Sequence, residues 1–133
     1  MHVVVDVNVL AYFWLPGPLV ERAIAVRQAT DDWYVPPLWR SEFRNLLSGY
    51  LRRGDLNLAQ VCALMRTVEA SLFDYEESVD SLDVLRLVAG SDCSAYDCEY
   101  VALAEHLNVP LVTEDRALLR SFPDRAVQMA GVL

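Results

Sequence analysis

Val3-Val4-Val5-Asp6-Val7-Asn8-Val9-Leu10 is the stretch on which the fold turns. Three consecutive β-branched residues predict a strand covered on both faces, as at the centre of a parallel sheet. Asp6 breaks the apolar run, and Asn8 breaks it again. A carboxylate in such surroundings is costly unless something pairs with it. It costs least at the carboxyl end of a central strand, at the mouth of a crevice, where open α/β sheets place their ligands. What matters elsewhere in the chain is which carboxylates can reach Asp6.

Outward from this stretch, strands alternate with helices. Further strands are predicted at residues 33–35, 72–75, 111–113 and 126–129, and helices at 19–29, 38–53, 58–70, 78–89 and 95–106, with a short one ending at Ser121. Residues 7–15 are expected to turn outward, ahead of the breaker cluster Pro16-Gly17-Pro18. The helix at 38–53 has the strongest periodicity: Trp39, Phe43, Leu46, Leu47 and Tyr50 recur at spacings of three and four, and Gly54 follows as a stop. Asp55 or Asn57 can cap the helix after it. This alternation predicts an α/β fold with a parallel sheet. No linker or repeat divides the chain, so a single domain over residues 1–133 is expected.

With 133 residues, 54% of them hydrophobic, the chain can bury one substantial core, and disorder over most of its length is excluded. No apolar run is long enough for a membrane span, and the N-terminus lacks the basic region of a signal peptide. Cys62, Cys93 and Cys98 form no CxxC pair. An odd, unpatterned set fits reduced thiols and a cytoplasmic location. The net charge of −8 opposes general affinity for nucleic acid. All 11 basic residues are arginine, whose bidentate contacts would let a few in one place hold phosphate, although compositional bias explains the missing lysines more simply.

Three more acids stand out by position. Glu42 shares a helical face with Leu38 and Leu46, within or beside the apolar stripe, while Arg40 and Arg44 fall on the opposite side. Taken alone, Glu42 reads as a stripe-edge residue reaching water. Asp97 ends a Ser94-Ala95-Tyr96-Asp97 capping box, a structural role that does not prevent it from facing a crevice. Asp115 follows Leu111-Val112-Thr113-Glu114, and one of the two acids there is expected to cap the next helix. Yet it repeats what Asp6 does: in a parallel sheet, both strand ends lie on the same edge.

Four carboxylates in one cleft repel each other unless some are protonated or cations neutralise them. An oxygen-only cluster suits hard ions such as Mg²⁺ or Mn²⁺, and His2 and His106 fall outside it, which argues against zinc. Such an ion activates water and shields a phosphodiester. No Gly-rich phosphate loop or G-x-S-x-G elbow is present.

The segments Val3–Leu10, Trp39-Arg-Ser-Glu42-Phe-Arg-Asn45-Leu-Leu, Ala95-Tyr-Asp97-Cys-Glu-Tyr-Val-Ala-Leu-Ala104 and Leu111-Val-Thr113-Glu-Asp115-Arg-Ala-Leu together resemble the four motifs of PIN-domain ribonucleases, and most closely VapC-type toxins of bacterial toxin–antitoxin pairs. The resemblance spans almost the whole chain, in order. It implies a three-layer fold around a parallel sheet of about five strands in the order 3-2-1-4-5. It also implies Mg²⁺- or Mn²⁺-dependent RNA cleavage, a cognate antitoxin and a homodimer. The acids it matches are Asp6, Glu42, Asp97 and Asp115, with Asn8 and Thr113 as polar supports. Asp6, Asp97 and Asp115 are expected to hold one or two such ions, and Glu42 to be a further ligand, directly or through water, or to orient the attacking water. Arg44, Arg116 and Arg120 are candidate phosphate contacts, each also readable as a solvated helix-face arginine. Apolar groups on the helices at 38–53 and 58–70 are expected to exceed what the sheet covers, and so to form the dimer surface.

Two other readings compete. One is a catalytically silent PIN-like module that only binds a partner protein. The other is a phosphoryl-accepting α/β domain, disfavoured because the chain has no lysine for a receiver pocket and places Asn8 where a D-x-D phosphatase needs its second acid.

Overall fold

The computed structural model describes residues 1–133. Its elements run β1 (Val3–Val5), α1 (Val7–Trp14), α2 (Val20–Ala29), β2 (Trp33–Tyr34), α3 (Trp39–Arg53), α4 (Leu58–Leu72), a 3-10 turn (Phe73–Tyr75), α5 (Ser81–Ala89), α6 (Ala95–Leu107), β3 (Leu111–Val112), α7 (Arg116–Ser121), β4 (Ala126–Val127) and a final 3-10 turn (Met129–Val132). All strand pairings are parallel, in the order β2-β1-β3-β4. Val3 and Val4 pair with Trp33 and Tyr34, and Val4 and Val5 pair with Leu111 and Val112. The triple valine is therefore the central strand, with no side chain exposed.

Because side chains alternate across a strand, β1 feeds two cores. Val3 and Val5 pack into a cluster with Val9 and Leu10 of α1, Val26 of α2, Trp39 and Phe43 of α3 and Val68 of α4. Val4 packs on the other face with Val84 of α5, Tyr100 and Leu103 of α6 and Leu118 of α7. Helices on both sides of a parallel sheet make the three layers expected of the α/β class.

The expected strand at 72–75 is not a strand. Leu72 completes α4, buried by its last turn, and Phe73–Tyr75 tighten into a 3-10 turn that leaves Phe73 exposed. The strand survives as a single parallel bridge, in which Val35 N–H donates to Tyr75 C=O at 3.1 Å and Glu77 N–H donates to Val35 C=O at 3.0 Å. The expected order 3-2-1-4-5 thus becomes four strands, with the outermost reduced to that bridge beside β2. The carboxylate of Glu76 holds the bridge in place, accepting from the Trp39 indole at 3.1 Å and the Arg40 guanidinium at 2.9 Å.

Residues 7–15 also differ from expectation: they form α1, capped by Asp6. Gly54 ends α3 at φ +78°, a left-handed conformation that glycine adopts without the steric cost of a Cβ. Asn57 and Gln60 cap α4 reciprocally. Trp39, Phe43 and Leu47 of α3 are buried, so much of the apolar excess expected on α3 and α4 is covered. The large apolar groups left exposed include Leu58 and Phe73 at the two ends of α4, Leu82 and Leu85 on α5, and Tyr96 on α6. No helix is long and apolar enough to cross a membrane.

Phe43 is the test of how strongly α3 is fastened. It is fully buried, so Phe43→Ala should cost roughly 3–5 kcal/mol of folding stability in urea melts, while Leu82→Ser, on an exposed face, should stay within about 0.5 kcal/mol.

Candidate active site

Asp6 is the fixed point of the site. It follows β1 and is the N-cap of α1, its Oδ1 accepting from Asn8 N–H at 3.0 Å and Val9 N–H at 3.1 Å. The Thr113 hydroxyl, fully buried at the end of β3, donates to Oδ2. Thr113 also accepts from Asp115 N–H at 3.0 Å, so one side chain aligns both strand-end acids. Asn8 contributes its backbone amide, while the residue itself lies exposed on α1.

Asp115 caps α7, with Oδ1 accepting from Leu118 N–H at 2.9 Å. Its neighbour Glu114 turns elsewhere, accepting from Met129 N–H at 3.1 Å to steady the C-terminal turn. Of the two acids, Asp115 is therefore the cap. Asp97 lies in the first turn of α6, where Ser94 Oγ accepts from its backbone N–H at 3.1 Å. Glu42 lies in the first turn of α3, half-buried, and accepts from the Tyr100 hydroxyl at 2.6 Å. Arg40 is committed to Glu69 and Glu76 and does not neutralise Glu42.

These acids act on one another. Burial raises the Asp6 carboxyl to about 6, with the Asp115 charge adding to the rise and the hydrogen bonds from Thr113, Val9 and Asn8 opposing it. Burial also raises Glu42, and the charges of Asp97 and Asp6 push it further while the Tyr100 hydroxyl pulls it back. Asp97 is raised by burial and then by Asp115. All four predicted acids therefore belong to one electrostatic cluster at the carboxyl edge of the sheet. They stand within range of each other's fields, yet no three Asp, Glu, His or Cys side chains are gathered tightly enough to hold an ion unaided.

Arg116 opens α7 directly after Asp115, and Arg120 lies in its last turn; both are exposed. Arg44 is exposed on α3 and donates to the Arg40 carbonyl at 3.0 Å. Two tyrosines near the cluster are absent from the residues that the sequence singles out. Tyr100 shares the α6 face of Asp97, three positions on, and that spacing is the available signal. Tyr12 on α1 is raised by burial and by the charges of Asp6 and Glu114, but nothing in its local sequence marks it.

The raised carboxyl of Asp6 has a measurable consequence in metal-free protein. Between about pH 4 and pH 6 the folded chain keeps a proton that the unfolded chain, with an ordinary value of 3.8, has already lost. The contribution of Asp6 to stability therefore falls as pH rises through this window and levels off above it. The loss is on the order of 3 kcal/mol at neutral pH. In urea melts with EDTA, Asp6→Asn should match wild type near pH 4 and exceed it increasingly toward pH 7. A gap that stays constant with pH would contradict this origin.

Known proteins share the sequence pattern and the fold. The PIN domain family model matches residues 3–122. Ribonuclease VapC3 of Pyrobaculum aerophilum is 28% identical over an alignment of 128 positions that covers 92% of this chain and 96% of that protein. The crystal structure of PAE2754 from Pyrobaculum aerophilum superposes with a TM-score of 0.74 at 25% identity, over 98% of this chain and 93% of that one. Two further structures share the fold. FitAB bound to an IR36 DNA fragment has a TM-score of 0.71 at 19% identity, over 96% of this chain and 94% of that one. FitAcB from Neisseria gonorrhoeae has a TM-score of 0.65 at 16% identity, over 96% and 98%. The family match begins at the central strand and ends just beyond α7, so it takes in all four acids, and the chain belongs to the PIN domain family.

Proposed function

We propose that residues 1–133 form one PIN domain that acts as a Mg²⁺- or Mn²⁺-dependent endoribonuclease, the toxin of a toxin–antitoxin pair. The observation that carries this reading is the cluster of Asp6, Glu42, Asp97 and Asp115, each of the first three raised by burial and by another member. The likeness to Ribonuclease VapC3 supports RNA as the substrate.

The donor set fits a hard divalent ion. It offers only oxygen, and Mg²⁺ is commonly held by one or two carboxylates with water and substrate phosphate completing the shell. Wider spacing than an all-protein cage suits that mode. Asp6, Asp97 and Asp115 would hold the ion, with Glu42 as a further ligand, directly or through water. When bound, such an ion activates water and screens the phosphodiester's charge.

The chain's own residues do the rest. Asp6 cannot swing away, because both of its oxygens are tied by hydrogen bonds from Asn8, Val9 and Thr113. Asp115 commits Oδ1 to its helix and keeps Oδ2 available. Glu42 keeps Oε2 available to orient water for in-line attack on phosphorus. Arg116 opens the helix that Asp115 caps, Arg120 lies in its last turn, and Arg44 lies on α3; all three are exposed and would contact RNA phosphates.

Charge and surface point to the partners. Without metal, the acid cluster is a receptor for a cation, so an inhibitory antitoxin segment would place an arginine or lysine among Asp6, Asp97 and Asp115, an arginine satisfying two carboxylate oxygens at once. A second copy of the chain would cover the apolar groups left exposed at the ends of α4, such as Leu58 and Phe73, and light scattering at micromolar concentration should report a dimer. The three free cysteines suit the cytoplasm.

The deciding experiment is cleavage of defined RNAs by purified wild type and Asp6→Asn, with Mg²⁺, with Mn²⁺ and with EDTA. Wild type should cut internally with either metal and stop in EDTA while keeping its far-UV circular dichroism. Asp6→Asn should lose on the order of 10²-fold or more. Folded wild type that leaves every RNA intact in all three conditions would favour the silent interaction module.

A further inference from the structure

Tyr100 is a buried polar group beside the acids that has no part in the proposed chemistry. It lies on α6, one turn after Asp97, with 2% of its surface exposed. Its side chain packs in the core on the α5–α6 face of the sheet, whereas Phe43, next to Glu42, packs in the core on the opposite face. The 2.6 Å hydrogen bond from Tyr100 to Oε1 of Glu42 therefore joins the two helical layers at the carboxyl edge. It is the one hydrogen bond made by the Glu42 carboxylate, and it leaves Oε2 without a protein partner.

A glutamate has three rotatable side-chain bonds, and Glu42 is only half-buried, so this bond is the one polar contact that keeps its head from extending into solvent. The Tyr100 hydroxyl meets Glu42 as a neutral donor at 2.6 Å. A lysine or arginine in its place would also hold Glu42, but it would cancel a charge that a metal cation needs. A neutral phenol fixes the carboxylate and leaves its charge intact.

We propose that Tyr100 is a positioning residue whose hydroxyl holds Oε1 of Glu42 and so keeps Oε2 beside Asp6 and Asp97 as a donor to a divalent ion or its water. Tyr100 does for Glu42 what Thr113 does for Asp6: each acid is held by a neutral hydroxyl that arrives from a later segment of the chain. This rests on the metal-dependent reading of the site.

The test is a double-mutant cycle on Mn²⁺ binding, read by electron paramagnetic resonance, with RNA cleavage as a second readout. Tyr100→Phe should weaken Mn²⁺ about tenfold and lower kcat with little change in KM. In a Glu42→Ala background the same substitution should cost nothing further, because the hydroxyl has lost its acceptor. Glu42→Asp, too short to reach the hydroxyl, should resemble Tyr100→Phe and be insensitive to it, which provides a second probe if Tyr100→Phe folds poorly. Unchanged Mn²⁺ affinity in Tyr100→Phe, or an equal loss in the Glu42→Ala background, would overturn the proposal. Wild type that shows the coupling but cuts no RNA would support the positioning role and remove the nuclease reading. Wild type that binds no Mn²⁺ would overturn both.

Discussion

Four helix N-termini are brought to one edge of a small parallel sheet, and the acid cluster depends on that arrangement. Asp6 is the N-cap of α1 and Asp115 the N-cap of α7, while Glu42 and Asp97 lie in the first turns of α3 and α6. The start of a helix carries unsatisfied N–H groups and roughly half a unit of positive charge. Each acid is thus placed where its own helix favours a negative charge. Parallel strands supply the gathering, since every strand runs toward the same edge and the helices after β1 and β3 begin there. Structure and site are not separate demands on these residues: the side chain that caps a helix also presents an oxygen to the cleft.

Helix ends do not cancel the repulsion. Asp6, Glu42 and Asp97 all remain above their ordinary values, with burial as the largest cause in each case. Thr113 and Tyr100 oppose the rise by donating hydrogen bonds to Asp6 and Glu42. Both donors are neutral, so they fix geometry without supplying the missing positive charge. The fold therefore holds a net negative pocket rigidly in place, stabilised enough to form and still short of a cation. The proposed metal and the proposed arginine or lysine of an antitoxin meet the same shortage, which is why one pocket would serve catalysis and inhibition.

The sheet centre and two of the acids are legible in the sequence for one reason, while Asp97 stands out by its capping box and Asp115 by its place after a strand. A charge inside an apolar pattern is conspicuous, and Asp6 and Glu42 both interrupt one. Helix α3 is readable from its spacing, and the Asn57 and Ser94 caps from their local motifs. Helix α1 is not: Val7-Asn8-Val9-Leu10-Ala11-Tyr12-Phe13-Trp14 is apolar on nearly every side, so it carries no helical period to detect. Residues 72–75 carry enough apolar character to suggest a strand, but α4 claims Leu72 and the Arg40–Glu76 pair anchors the chain just beyond Tyr75, a tertiary choice invisible to local pattern. The hydroxyl contacts are the least readable. Tyr100 meets Glu42 across 58 positions and Thr113 meets Asp6 across 107, distances over which no spacing rule applies.

Net charge alone does not decide whether a polyanion can approach, because the arginines are not equally available. Arg40, Arg53, Arg66 and Arg86 are engaged with acids, and Arg125 binds the Val109 carbonyl. Arg116 and Arg120 form no ion pair, are exposed, and belong to the helix that Asp115 caps. A polyanion approaching a chain of net charge −8 is repelled over most of its surface, and screening confines that repulsion to about 8–10 Å at moderate salt. Within that distance, local groups decide. With a cation in the pocket, the exposed guanidinium groups of α7 would meet less local negative charge, whereas the same pocket without its cation would repel phosphate. On the proposed nuclease reading, occupancy of the acid cluster by a cation would therefore govern RNA binding as well as bond cleavage.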